Sequence, residues 1–351
     1  MASSEFPYAS QLRQELTLRN RQYARGRAHV RSYGNPPVIV YAPENLGEQD
    51  ISAKNPPDAA RHGNFLDAAY AAITARPEWM RRFDKIHAQG RALPKAESGR
   101  RWRELDSSMS SDALLMNVFC TPGVVQSAAV RGMLGTACDE LPTFGWKARV
   151  PLTNGRFDRT EVDMRWGSLL VEAKLTEADF QTRESKVVES YRDFDAVFDR
   201  DLLPRVELRT KRRRTAVEFA EEFTQEWEDA APDDELAREF QSTLVAQARQ
   251  AETPEPGYLG YQLIRNVLAA HALEASFCVI HDARRPDLRE AWFQVMAAVK
   301  PAAMRVRCQV LTWQELAAAL PDELQRFLDV KYGIVAPGRA ASPVEAINDS
   351  T

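Results

Sequence analysis

Apolar positions fall into two registers along this chain. Over 64–89 they recur every three or four residues (Phe65, Ala68, Ala69, Ala72, Ile73), which predicts a helix. Pro77 then opens a second helix, running through Trp79 and Phe83 to about His87. Ser111-Asp-Ala-Leu-Leu-Met-Asn-Val-Phe begins with a capping residue and continues as an apolar helix; beyond Thr121-Pro-Gly a further helical run covers 124–140. The period then drops to two, so 145–152, 161–166, 168–175, 275–280 and 304–311 are expected strands. The stretches 258–273, 287–299 and 313–320 are helical in pattern, and the long charged segment 177–250 is taken as helical as well.

Hairpin strands followed by a helix and further strands make an α/β arrangement, a mixed central sheet flanked by helices. The expected division has three parts. Residues 1–105 form a basic, mainly helical N-terminal extension, with Asn35-Pro-Pro and Asn55-Pro-Pro as extended connectors and 90–104 as a polar linker. Residues 106–335 form the core, and 336–351, rich in Ala, Pro, Gly and Ser, a flexible tail. No internal repeat is present.

Composition narrows the function classes more than it selects one. With 351 residues, 44% hydrophobic and 27% charged, the chain has ordinary globular usage. Its net charge of −4 argues neither for nor against a polyanionic partner. The charge is unevenly spread: 11–31 holds six arginines and one acid, Glu15; 205–214 holds six basic residues and Glu207; 218–239 holds ten acids and one arginine. Each basic run is either a phosphate-binding footprint or a solvated helix face. No apolar run approaches the ~20 residues of a membrane helix, and Met1-Ala-Ser-Ser-Glu-Phe6 lacks the basic and apolar regions of a secretory signal. A cytoplasmic location without membrane association is expected. Four cysteines with no CxxC pair exclude a disulfide scaffold and a zinc ribbon.

The stretch that carries chemistry is Thr160-Glu-Val-Asp-Met-Arg-Trp-Gly-Ser-Leu-Leu-Val-Glu-Ala-Lys-Leu-Thr-Glu177. Gly167-Ser168 between two strands suits a two-residue type II′ turn, which wants glycine first. Paired positions then sum to 335, so Asp163 lies opposite Glu172 on one face, with Cβ atoms ~5 Å apart. Lys174 follows on that face, while Leu169, Val171 and Ala173 point to a core. Sheets avoid facing carboxylates, and a divalent cation between them resolves the repulsion; hard oxygen ligands suit Mg²⁺ or Mn²⁺. A lysine beside such a centre can orient water and stabilise charge on a phosphate oxygen, the set that phosphodiester hydrolysis needs.

Asp163…Glu172-Ala-Lys174 on a hairpin resembles the PD-(D/E)XK nuclease superfamily, the restriction-endonuclease-like fold, with Val162 where the superfamily name has Pro and an eight-residue gap that is short. The resemblance implies that Asp163 and Glu172 bind metal and that Lys174 acts in catalysis. It also implies an acidic residue from the helix before the first core strand, for which Glu140 is the candidate and Asp139 its competitor; Glu161 is a candidate outer ligand. Gln262 is marked because some members carry Gln-x-x-x-Tyr on the helix after the hairpin, although Asn266 stands at the fourth position here. His62-Gly-Asn-Phe65, Pro77-Glu-Trp79 through 85–87, Leu105-Asp-Ser-Ser108 with Asn117, 171–177 and 261–266 resemble an uncharacterised bacterial group of the superfamily. The implied activity is that of a Mg²⁺-dependent DNA endonuclease, for which two-strand cutting would favour a homodimer. The alternative is an inactive nucleic-acid-binding or scaffolding protein on the same fold; a third reading makes the hairpin an ordinary salt bridge in another fold.

A bare Glu-x-Lys occurs about once by chance in a chain of this length. Glu184-Ser-Lys186 is such a triplet and lacks flanking strands. The five histidines show no paired metal spacing, the cysteines sit in apolar contexts, and no Gly-rich phosphate loop or nucleophile elbow is found. His281-Asp282 ends an expected strand and could border a site. Trp102, among Arg100, Arg101 and Arg103, either stacks on a base or packs on the domain.

Overall fold

A computed structural model describes residues 7–31, 37–44, 61–83, 85, 102–159, 161–208 and 255–343. Its centre is a five-stranded mixed sheet. In chain order the strands are β1 (Thr143–Lys147), β2 (Glu161–Trp166), β3 (Leu169–Ala173), β4 (Ser276–His281) and β5 (Cys308–Thr312), and the spatial order is 5-4-3-2-1. β1, β2 and β3 pair antiparallel; β3–β4 and β4–β5 pair parallel.

The layout follows from the sequence pattern. Gly167 has φ +61 while Ser168 has no positive φ, as a type II′ turn requires, and the β2–β3 register runs Trp166↔Leu169, Arg165↔Leu170, Met164↔Val171, summing to 335. A Cβ at Gly167 would meet Cys138 Cβ at 2.8 Å, so the turn also needs glycine for space. β3 is the middle strand and every residue of it is buried, because helices cover both faces.

The helices of seven residues or more are α1 (Pro7–Tyr23), α2 (Asp67–Thr74), α3 (Pro77–Phe83), α4 (Ser111–Cys120), α5 (Ala128–Leu134), α6 (Tyr261–Ala272), α7 (Pro286–Ala297) and α8 (Asp322–Tyr332) among the described residues. One core holds Leu169, Val171 and Ala173 of β3 with α4, α8 and the N-terminal residues Leu12, Leu16, Phe65, Tyr70 and Ile73. The other holds Leu170, Phe277 and Val279 with α6 and Trp292 of α7. The stretches on either side of residue 105 thus bury their apolar faces in common. Residues from the sequence pieces marked for group similarity meet in one polar brace: His62 Nε2 pairs with Asp106 Oδ1 at 3.0 Å, and Asn64 donates to the carbonyls of Leu105 and Ser107. Asn117 there accepts from Leu66 N–H and donates to Asn64 O.

Several expected elements are shorter or displaced. The helix expected over 124–140 is confined to α5, since Gly135 at φ +63 closes it with a left-handed cap. The strand expected over 145–152 divides into β1 and a two-residue strand, Val150–Pro151, which pairs with Phe157–Asp158. The strand expected from 304 begins at Cys308, after a helical turn at Ala302–Arg305. In 177–208 the helical expectation gives way to short helices, Ser185–Val188 and Phe194–Val197, and to strands Arg183–Glu184 and Arg205–Leu208, both paired with Glu255–Tyr258. The rest of that segment up to 254, including the acidic run 218–239, with Asn35 and Pro36 of the first connector and the whole of the second, lies outside the described residues, as does 344–351 of the expected tail. Trp102 is 2% exposed, which removes it as a stacking platform for bases.

Candidate active site

β1 and β2 change face together at one point. Phe144 and Met164 pair and belong to the first core, whereas Trp146 and Val162 pair and pack on the second. Residues two apart normally share a face. The reversal falls at Gly145, φ +62, which stands across from Asp163 in a register that sums to 308 on both sides. The β2–β3 ladder stops one step before Asp163, and the Asp163 carboxylate takes the place of a backbone acceptor: Ala173 N–H donates to Oδ2 at 2.8 Å. Asp163 therefore sits in an opened seam between the strands instead of standing as a simple cross-strand partner of Glu172.

Glu172 is 1% exposed and Lys174 4%. Lys174 Nζ donates to Glu172 Oε1 at 2.8 Å, and Asn266 Nδ2, from α6, donates to Oε2 at 2.8 Å. The main chain of this segment is also fastened: Lys174 N–H donates to Ile280 O, Trp313 Nε1 donates to Lys174 O, and the buried Arg285 guanidinium donates to the carbonyls of Leu175, Glu177 and Ala178. A position so tightly held is preorganised.

The third carboxylate of the cluster was not anticipated. Asp112 in the first turn of α4 is buried, and its charge acts on Asp163. Arg82 of α3 pairs with Asp112 and, at 2.6 Å, with Glu161, which also accepts from Lys85 at 2.9 Å. The guanidinium reaches them over Gly145, where a Cβ would lie 3.1 Å from Nη1. Glu140 does not join the cluster. With α5 ending at Leu134, Glu140 falls in an exposed loop near the turn end of the hairpin, where its carbonyl accepts from Trp166 Nε1. Its competitor Asp139 is exposed and paired with Arg131. An acid at a helix start ordinarily serves the helix dipole, which concealed Asp112; the usable signal was a carboxylate in a helix whose other positions are almost all apolar.

Gln262 lies one turn before Asn266 on α6, and its Oε1 is buried without a partner; Asn266 Oδ1 is in the same condition. Two orphaned amide oxygens on the helix face that holds Glu172 are the kind of exception that calls for a ligand or water. His281 ends β4 with Nε2 buried and unpartnered, Nδ1 lies 2.8 Å from Asp282 O, and burial lowers its pKa.

Electrostatics differ across the cluster. Burial, then the charges of Glu172 and Asp112, raise the Asp163 pKa well above the usual carboxylate range. Burial lifts Asp112 to about 6 against the pull of Arg82. Burial opposes the charge on Lys174, but Glu172, Glu177 and Asp163 outweigh it and the pKa rises, so the side chain is an ammonium. Partial burial also opposes the charge on Glu161, and hydrogen bonding to Lys85 with the charge of Arg82 nevertheless holds it low. Carboxylates that raise one another's pKa are hard-oxygen donors of the kind a divalent cation takes, so the chemistry of the set suits one although its geometry is not that of a closed cage. Among the described residues no three His, Cys, Asp or Glu side chains converge into a cage, and Lys174 and Arg82 are bonded to two of the three carboxylates.

A family model described as restriction endonuclease associating with ARP matches residues 20–333. The chain belongs to this family. The matched span takes in β1–β5, α2–α8 and every residue of the cluster. No curated protein and no solved structure matches the chain. Membership makes it a restriction-endonuclease-like protein, and the mixed five-stranded sheet with helices on both faces is compatible with such a core. Among the described residues no helix is long and apolar enough to cross a membrane.

Proposed function

We propose that this protein is a metal-dependent nuclease of the PD-(D/E)XK type that hydrolyses phosphodiester bonds in DNA. The observation that carries the reading is Asp163, half-buried at an opened strand seam and within the electrostatic reach of the buried Glu172 and Asp112, with the Lys174 ammonium on Glu172. Asp163 and Glu172 would hold Mg²⁺ or Mn²⁺, with Asp112 as the third carboxylate in the role sought for Glu140. The bound cation supplies a water of lowered pKa and polarises the phosphoryl group.

The chain's own groups do the rest. Lys174, kept protonated by its carboxylate neighbours, donates to a phosphate oxygen or to the attacking water and does not act as a base. Asn266 fixes the Glu172 carboxylate, and Gln262 offers a second amide one turn away. Arg82 holds Asp112 and Glu161 in place. Cutting both strands of a duplex calls for two such centres, as a homodimer provides.

The second reading, a nucleic-acid-binding protein on this fold without activity, draws on one feature: both Glu172 oxygens are already hydrogen-bonded. One experiment decides between them. Supercoiled and linear DNA are incubated with Mg²⁺ or Mn²⁺ and wild type, Asp163→Asn or Lys174→Ala. Metal-dependent nicking that falls by at least about 10²-fold in both variants is the expected result. Wild type as inert as the variants, with no heat of Mn²⁺ binding in calorimetry, sinks the nuclease.

A further inference from the structure

β1 and β2 are joined by a hairpin that the catalytic reading leaves unused. Its root is the pair Lys147↔Glu161, the last of the ladder and two residues from Gly145 and Asp163, or about 7 Å along the strands. Its arms, Val150–Pro151 and Phe157–Asp158, pair beyond the root, and Gly155 turns the tip at φ +77. Lys147, Arg149, Arg156 and Arg159 are all exposed, and no ion pair engages them among the described residues. The one carboxylate of the segment, Asp158, is taken by the Tyr191 hydroxyl at 2.6 Å. Phe157 is 46% exposed, with the Arg149 guanidinium 4.5 Å from the ring centroid. The hairpin is pinned to the body: Thr153 N–H donates to Ser190 O, Arg192 N–H donates to Pro151 O, and Leu152 bridges to Tyr191.

The run 11–31, more conspicuous in sequence, is built differently. Arg13 donates to Thr176 O, and Arg19 is buried, bonded to Glu15 and to the carbonyls of Asp329 and Ser342. Part of that charge holds the fold together. The hairpin instead offers its cations to solvent at the carboxylate end of the sheet.

We propose that the hairpin 148–159 is a nucleic-acid grip: Arg149, Arg156 and Arg159 bind backbone phosphates beside the cleavage centre, and the open face of Phe157 stacks on an unpaired base. The assignment rests on the nuclease reading for its substrate. Free cations on a rigid ribbon meet a polyanion at little reorganisation cost, and an exposed ring flanked by arginine is a stacking platform for single strands.

The test is fluorescence anisotropy of a labelled duplex and a labelled single strand in EDTA, across a salt titration. Arg149→Gln/Arg156→Gln/Arg159→Gln is compared with a variant of equal charge loss elsewhere, Arg289→Gln/Arg305→Gln/Arg326→Gln, all exposed. The expected result is a duplex salt slope reduced by about 0.9 per lost phosphate contact and affinity at least about tenfold weaker, with the second variant near wild type. Phe157→Leu weakens single-strand binding about tenfold and leaves the slope unchanged. Equal slopes in the two triple variants overturn the phosphate grip, and unaltered single-strand affinity in Phe157→Leu overturns the stacking. A wild type that binds neither DNA overturns the nuclease reading instead.

Discussion

Two lysines in this protein are almost wholly removed from water, and they end in opposite states. Lys174 lies against Glu172, with the charges of Glu177 and Asp163 close by, and its pKa is raised. Lys331 of α8 donates to Asn20 Oδ1 at 2.6 Å and lies over the rings of Tyr41, Tyr23 and Tyr332 at 4.2, 4.9 and 5.2 Å. Burial and the nearby Arg27 drive its pKa well down. Desolvation disfavours both ammonium groups, and only carboxylate neighbours reverse it. Burial of a lysine is therefore a weak sign of function; burial among acids that themselves repel one another is the informative case.

The strongest way to break this comparison is to remove the cation from the acidic side. Lys174→Ala leaves Glu172 buried with Asn266 as its hydrogen-bond partner, and the uncompensated charge is expected to cost about 3–5 kcal/mol in urea unfolding at neutral pH without metal. A cost below about 1 kcal/mol contradicts the charged pair.

Asp112 supplies the next effect. Its folded pKa, about 6, is above the ordinary 3.8, so the folded state holds the proton more tightly than the unfolded state. Its contribution is present below pH 3.8 and is lost as pH rises to about 6, on the order of 3 kcal/mol in all. Metal-free wild type is expected to show this decline between acid and neutral pH, and Asp112→Asn to lose Asp112's share of it, so that the stability difference between the two changes across the window.

Lys331→Met should do least. It deletes one hydrogen bond, worth about 1 kcal/mol, and leaves nicking unchanged. Because the folded pKa of Lys331 is depressed, wild-type stability from this group is full above 10.5 and is lost as pH falls toward the folded value. The methionine variant should trail wild type at pH 10 and draw level with it or pass it near pH 7. A deficit that stays constant with pH would mean that Lys331 is charged throughout.

Local chemistry made the hairpin legible. Gly167-Ser168 specified the turn, alternation specified the faces of β3, and together they placed Asp163, Glu172 and Lys174 near one another before any tertiary contact was considered. The brace of His62, Asn64, Asp106 and Asn117 was visible as pieces whose purpose was not.

What escaped depends on contacts between distant parts of the chain. Asp112, not Glu140, lies by the seam because α4 and not the end of α5 packs there; Arg82 and Glu161, 79 positions apart, meet because Gly145 leaves the guanidinium room. The sequence by itself determined the strand pair, its register and the chemistry on its face, since turn type and a period of two act within a few residues. The tertiary structure alone decided which carboxylates share the seam, which lysine keeps its charge and which arginines remain free. Those outcomes are set by desolvation and by the charges of neighbours many residues away, and neither is a property of a residue or of its spacing.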